Sequence, residues 1–201
     1  MGKPKVAVLS GFGINCETET ITAFEMAGAV AKKTHVNHLV NGHLKLSDFD
    51  IVAVPGGFSF GDHLGSGRLL GNRLRFSLRE EVRAFVASKK PVIGICNGFQ
   101  VLVKMGLLPG DEDLSMSQTA SLAANDCGRY EDRWVTLEFD RNSPCIWTRG
   151  IERLRVPVRH GEGKIVTNDQ KLLDKWAQKG QLVAKYVDPD STYPSSSDEI
   201  L

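Results

Sequence analysis

Cys96 stands between two glycines in Gly94-Ile95-Cys96-Asn97-Gly98, after the apolar run Pro91-Val92-Ile93 and before an apolar stretch from Asn97 to Met105. A thiol on a sharp strand-to-helix turn is the sulfur version of the nucleophile elbow. Such a turn strains the nucleophile's backbone, and its neighbours crowd one another unless they lack Cβ. The N-terminus of the following helix carries partial positive charge, which favours thiolate over thiol. The amide of Asn97 can point at the oxyanion formed when a thiolate attacks a carbonyl. A buried filler is the alternative for any free cysteine. Here strand, glycines and helix fall in register, which favours the nucleophile. The elbow alone names no substrate.

Two further glycine-rich segments stand upstream. Pro55-Gly56-Gly57-Phe58-Ser59-Phe60-Gly61-Asp62 follows an apolar run, so its Gly-Gly pair is either a plain turn or a donor of backbone amides to an oxyanion. No Gly-Lys-Ser/Thr follows, so it is not a phosphate loop. Gly11-Phe12-Gly13-Ile14-Asn15-Cys16 has a cysteine where a dinucleotide fingerprint needs its third glycine. Neither segment supports a cofactor in this chain.

These loops need elements to position them. Lys5–Ser10, Ile51–Val54 and Pro91–Ile95 read as short buried strands. Between them Glu17–Ala27 has helical spacing and stops at Gly28, and Leu78–Ser88 is amphipathic through Val82, Phe85 and Val86. Asn97–Met105 continues as a helix behind the elbow. The rhythm predicts an α/β fold, a doubly wound and mostly parallel sheet flanked by helices in the flavodoxin-like manner, with ligands at the carboxyl ends of the strands. Residues 110–132 read as a polar, irregular excursion of unassigned role. Arg133–Phe139, Leu154–Val158 and Leu182–Val187 read as further strands and Gln170–Lys179 as a helix, with a loop-like tail from Asp188. No repeat or boundary divides the chain, which reads as one domain over 1–201.

Composition bounds the partners. Of 201 residues 41% are hydrophobic and 24% charged, with 25 basic against 24 acidic side chains. That balance gives no global field for nucleic acid or an anionic membrane surface. The apolar runs are too short for a membrane span, and the start lacks a signal h-region. Four scattered cysteines (Cys16, Cys96, Cys127 and Cys145) lack C-x-x-C spacing. They fit free thiols in the cytoplasm rather than a disulfide frame or a metal site.

Taken in order, Gly11 to Glu17, Pro55 to Asp62, Gly94-Ile95-Cys96-Asn97-Gly98-Phe99-Gln100 and His160-Gly161-Glu162-Gly163 closely resemble the glutaminase subunit of phosphoribosylformylglycinamidine synthase, a class I glutamine amidotransferase. The likeness covers essentially the whole chain, including Gln118-Thr119-Ala120 and Arg133-Trp134-Val135. It implies that Cys96 attacks the side-chain amide of glutamine while the amides of Gly57 and Asn97 hold the oxyanion. Phe58, Gly61, Asp62 and Gln100 would bind substrate, with no metal. The ammonia released would pass to a large synthetase subunit that holds ATP and magnesium and makes formylglycinamidine ribonucleotide for purine biosynthesis.

The pattern departs at one place. The family's catalytic His-x-Glu pair lies in a C-terminal Pro-His-Pro-Glu segment that this sequence does not contain. Ile200-Leu201 looks like a strand cut off at its start, so the catalytic C-terminus is expected to be missing and these 201 residues to show little or no glutaminase activity, even with the synthetase partner present. His160 and Glu162 have the same spacing and would share a strand face, but the family has that pair in addition, which favours a local role. His35, His38 and His43 are expected in a solvated connection, with His63 a candidate substrate contact. Two other readings remain: a non-catalytic docking subunit of the same complex, or another thiol hydrolase of the superfamily. Asn97-Gly98-Phe99-Gln100 argues against the latter.

Overall fold

A computed structural model describes residues 2–188. The chain divides into two compact units, Met1–Gln118 and Thr119–Leu201. The expected strand start at Ile200-Leu201 lies outside the described residues.

The first unit holds a four-stranded, wholly parallel sheet in the order β2-β1-β3-β4. Its strands are β1 (Lys5–Ser10), β2 (Val30–His35), β3 (Ile51–Val54) and β4 (Val92–Gly94). Its helices are α1 (Glu17–Met26), α2 (Val36–Val40), α3 (Arg68–Ser77), α4 (Arg79–Ala87) and α5 (Asn97–Lys104). Side chains of β1 alternate between two cores, as a strand's period of two requires. Ala7 and Leu9 join a large cluster with Val54, Leu70, Leu74, Phe85, Val101, Leu102 and Met105. Val6 and Val8 join a smaller one against Ile21 and Phe24 of α1. Both faces of β1 are therefore dry, which is why Val6-Ala7-Val8-Leu9 reads as an unbroken apolar run. Each buried Val or Leu among them contributes about 1.5–3 kcal/mol relative to exposure. The doubly wound, parallel architecture agrees with the sequence reading.

Two elements depart from that reading. β2 is an edge strand whose residues, apart from the fully buried Thr34, are exposed or half-buried, so Lys32 and Lys33 hide its strand character. α3 lies where only a glycine-rich loop was expected, and it buries no more than Leu70, Gly71 and Leu74.

The second unit pairs β5 (Ser121–Ala124) with β8 (Glu162–Val166), and β6 (Glu131–Phe139) with both β7 (Arg153–His160) and β9 (Ala184–Val187). All these pairings are antiparallel. α6 (Gln170–Gln178) starts at Asp169, whose side chain accepts the Lys171 N–H at 2.9 Å and caps it. The excursion at 110–132 thus contains β5 and the start of β6 rather than irregular chain alone.

Candidate active site

The elbow forms as its residues demand. Cys96 adopts φ 55°, ψ −115°, a conformation costly for a residue with a Cβ. Three backbone bonds hold it: Ile95 N–H to the Val54 carbonyl at 3.0 Å, Gly98 N–H to that of Ile95 at 2.9 Å, and Gln100 N–H to that of Cys96 at 3.2 Å. A Cβ on residue 94 would lie 2.6 Å from the Gly98 oxygen, and one on residue 98 would collide with the Val54 carbonyl at the end of β3. Both glycines are thus a condition of the turn. Cys96 itself is exposed, at the head of α5. Asn97 is the first residue of that helix, where a backbone N–H has no intrahelical partner.

The Gly57 loop faces this turn from the end of β3. A Cβ at Gly56 would stand 3.4 Å from the Cys96 Cβ and 3.6 Å from the Cys16 Sγ, so the loop passes directly beside the thiol. Gly57 sits at φ 148° with the Gly13 oxygen 2.5 Å from where its Cβ would be. That crowding comes from an isolated bridge between Ile14 and Gly57. The bridge uses Phe58 N–H to the Gly13 carbonyl at 3.0 Å and Asn15 N–H to that of Gly56 at 3.2 Å. It does not draw on the Gly57 N–H, which can therefore serve a ligand. Gly11 to Cys16 is thus a brace for the Gly57 loop. Sequence reasoning dismissed it as a failed dinucleotide motif and missed this role, because only tertiary pairing reveals it.

Other site residues cluster in the same unit. Phe58 is 61% exposed, and Gly61 is exposed at φ 68°. Asp62 and Gln100 are half-buried and both hydrogen-bond the Asn97 side chain, with Nδ2 at 3.1 Å from Asp62 Oδ1 and 3.0 Å from Gln100 Oε1. Cys16, read from sequence as one scattered thiol among four, begins α1 beside the elbow. Burial pushes its thiol pKa up, with Glu19, Cys96 and Glu17 adding to the rise. His35 is half-buried rather than solvated: its Nδ1 accepts the Asn37 N–H at 3.1 Å at the head of α2, and its ring packs 5.5 Å from that of Phe12. His38, His43 and His63 are exposed. Within this unit no histidine hydrogen-bonds the Cys96 thiol among the described residues.

His160 and Glu162 lie in the second unit, and the premise of a shared strand face fails. His160 ends β7 and Glu162 begins β8, with a bend at Gly161 between them. His160 is instead tied to Asn125. The amide Nδ2 of Asn125 donates to the carbonyls of Arg129 at 3.0 Å and His160 at 2.8 Å, which leaves its Oδ1 to accept from His160 Nδ1 at 2.9 Å. The proton therefore sits on Nδ1, and Nε2 faces the Tyr186 hydroxyl at 3.5 Å. Burial lowers the His160 pKa from the usual 6.5, against a smaller opposing pull from Glu131. The unfolded chain then binds a proton before the folded one does. His160 thus contributes stability in full above about pH 6.5, and loses it as pH falls below that value towards the depressed folded pKa. In denaturant titrations at about pH 7.5 and about pH 5.5, His160→Gln should lose less stability on acidification than the parent.

Comparison with known proteins fits this geometry. Residues 3–198 match the family model of the CobB/CobQ-like glutamine amidotransferase domain. The phosphoribosylformylglycinamidine synthase subunit PurQ of Dehalococcoides mccartyi is 42% identical over 200 residues, covering 98% of this chain and 76% of that protein. Its namesake from Methanococcus maripaludis strain C7 is 41% identical over 187 residues, covering 93% and 68%. The chain belongs to the PurQ family of phosphoribosylformylglycinamidine synthase subunits. A chain in the structure of PurLQS from Thermotoga maritima is similar to this PurQ family member, with 28% identity, TM-score 0.69 and coverage of 93% of this chain and 76% of that one. A glutamine amidotransferase from the same organism, 17% identical at TM-score 0.50 over 83% of this chain and 64% of its own, shares the fold alone. Among the described residues no cluster of three or more His, Cys, Asp or Glu could hold a metal ion, and no helix is long and apolar enough to cross a membrane.

Proposed function

We propose that this chain is the glutaminase subunit of phosphoribosylformylglycinamidine synthase, with Cys96 as nucleophile. The observation that carries the assignment is an exposed thiol on a strained elbow, flanked by the Gly57 loop and the first amide of α5. The thiolate attacks the side-chain amide carbon of glutamine, and the carbonyl electrons move onto oxygen between the N–H groups of Gly57 and Asn97. Collapse of that intermediate breaks the C–N bond, and ammonia leaves carrying the proton that the Cys96 thiol gave up on ionising. Water then cleaves the glutamyl thioester to glutamate and restores the thiol. Phe58, Gly61 and Gln100 border the elbow from the loop and from α5 and would contact the substrate.

The ammonia goes to the synthetase subunit, which with ATP and magnesium of its own converts formylglycinamide ribonucleotide to the amidine. Ammonia must arrive unprotonated, since ammonium has no lone pair to attack with, and a docked partner meets that need. We place this chemistry in the cytoplasm, where free thiols persist. The chloromethyl ketone analogue of glutamine tests the assignment: it should alkylate Cys96 selectively and be competed by glutamine. Adducts at Cys16, Cys127 or Cys145 in its place, or indifference to glutamine, would overturn it.

A further inference from the structure

We propose that the side chains of Asn97 and Asp62 are positioning residues that lock the Gly57 loop to the elbow, so that the two oxyanion donors keep a fixed separation. The inference rests on the glutaminase reading and deepens it. Asn97 is 2% exposed and is the buried hub of the site. Its Oδ1 accepts the Ser59 N–H at 3.1 Å. Its Nδ2 donates to both oxygens of Asp62, at 3.1 and 3.2 Å, and to Gln100 Oε1 at 3.0 Å. The amide cannot be reversed, because a backbone N–H only donates and a carboxylate only accepts. Asp62 Oδ1 also accepts the Gly67 N–H at 3.0 Å, which extends the lock to the head of α3.

The loop needs such a hold. Phe60, Gly61 and Asp62 take positive φ in succession, at 52°, 68° and 52°. Two of these carry side chains, and such a run persists only where surrounding structure over-determines it. Ser59 is two residues from Gly57, so the Asn97–Ser59 bond sets where the Gly57 N–H stands relative to α5. Asn97 thus serves the oxyanion twice, directly through its main chain and indirectly through its side chain. Asp62 acts on the substrate through the loop rather than by touching it.

A donor–acceptor swap tests this in the full chain. Asn97→Asp sets a second carboxylate against Asp62 and breaks the lock. Adding Asp62→Asn restores a donor facing an acceptor, while position 97 still accepts from Ser59. With the chloromethyl ketone of glutamine, Asn97→Asp should lower the saturating rate of Cys96 labelling at least about tenfold. The double variant should recover to within about threefold of the parent. Iodoacetamide, which needs the thiol but no oxyanion, should alkylate Cys96 in all three proteins within about twofold. Labelling of Asn97→Asp at the parental rate would overturn the proposal. So would a double variant no faster than the single, or an iodoacetamide rate that falls in step with the ketone rate. A parent protein that takes iodoacetamide but not the ketone would overturn the glutaminase reading, and the lock with it.

Discussion

With the family's C-terminal Pro-His-Pro-Glu segment joined to this sequence, Cys96→Ala abolishes glutamine-supported amidine synthesis by the assembled synthase and leaves ammonia-supported synthesis in place. Without a sulfur there is no thioester, and neither the Gly57 nor the Asn97 amide has an oxyanion to hold. A loss of at least about a thousandfold is expected, because residues that act as a unit fail together when one is removed. Free ammonia bypasses this chain, since the amide-to-amidine step belongs to the synthetase partner. The measurement is product formation with glutamine or with an ammonium salt at equal partner concentration. Persistence of glutamine-supported turnover would refute Cys96 as nucleophile. Loss of both activities would mean that the substitution disrupts docking or folding.

Gly98→Ala removes the site by a different route. Its Cβ would collide with the Val54 oxygen, lie 2.6 Å from the Val54 carbonyl carbon and reach 2.9 Å from the Pro55 oxygen. All three atoms are backbone at the end of β3, so no rotamer change relieves the overlap. Either β3 or the head of α5 must move, and each leads to one of the two proposed oxyanion donors. The expected cost is about 3 kcal/mol or more of stability, the upper range for overpacking a core. Loss of selective Cys96 labelling should accompany it. Gly161→Ala is the control: its nearest neighbour would be Tyr130 Cδ2 at 3.8 Å, an ordinary contact, so its cost should stay below about 1 kcal/mol. Urea denaturation of both variants distinguishes a collision from a general sensitivity to losing glycine.

The sheet and elbow were legible because their physics is local. A dry strand is apolar at every position, as Val6 to Leu9 are, and a crowded turn announces itself through Gly94 and Gly98. β2 was not legible, since an edge strand buries too little to need an apolar pattern, and the exposed Lys32 and Lys33 interrupt any apolar run. Nor was α3, whose apolar contacts are confined to Leu70, Gly71 and Leu74 after a run of positive-φ residues. The spacing of His160 and Glu162 misled because two residues apart means one face only within a strand, and here a bend intervenes. The brace formed by Gly11 to Cys16 and the lock through Asn97 join segments roughly 40 residues apart. Pairings of that range leave no mark in local spacing.

The backbone at Cys96 has a consequence for how this protein fails. Its φ of 55° is imposed by the packed ends of β3 and α5, and no local preference of the residue favours it. When that junction loosens under heat, denaturant or a distant core change, the residue relaxes to an ordinary geometry while most of the sheet still stands. The geometry of the thiol is therefore forfeited ahead of the fold itself, so selective labelling of Cys96 is a more sensitive gauge of this domain's integrity than any global melting curve.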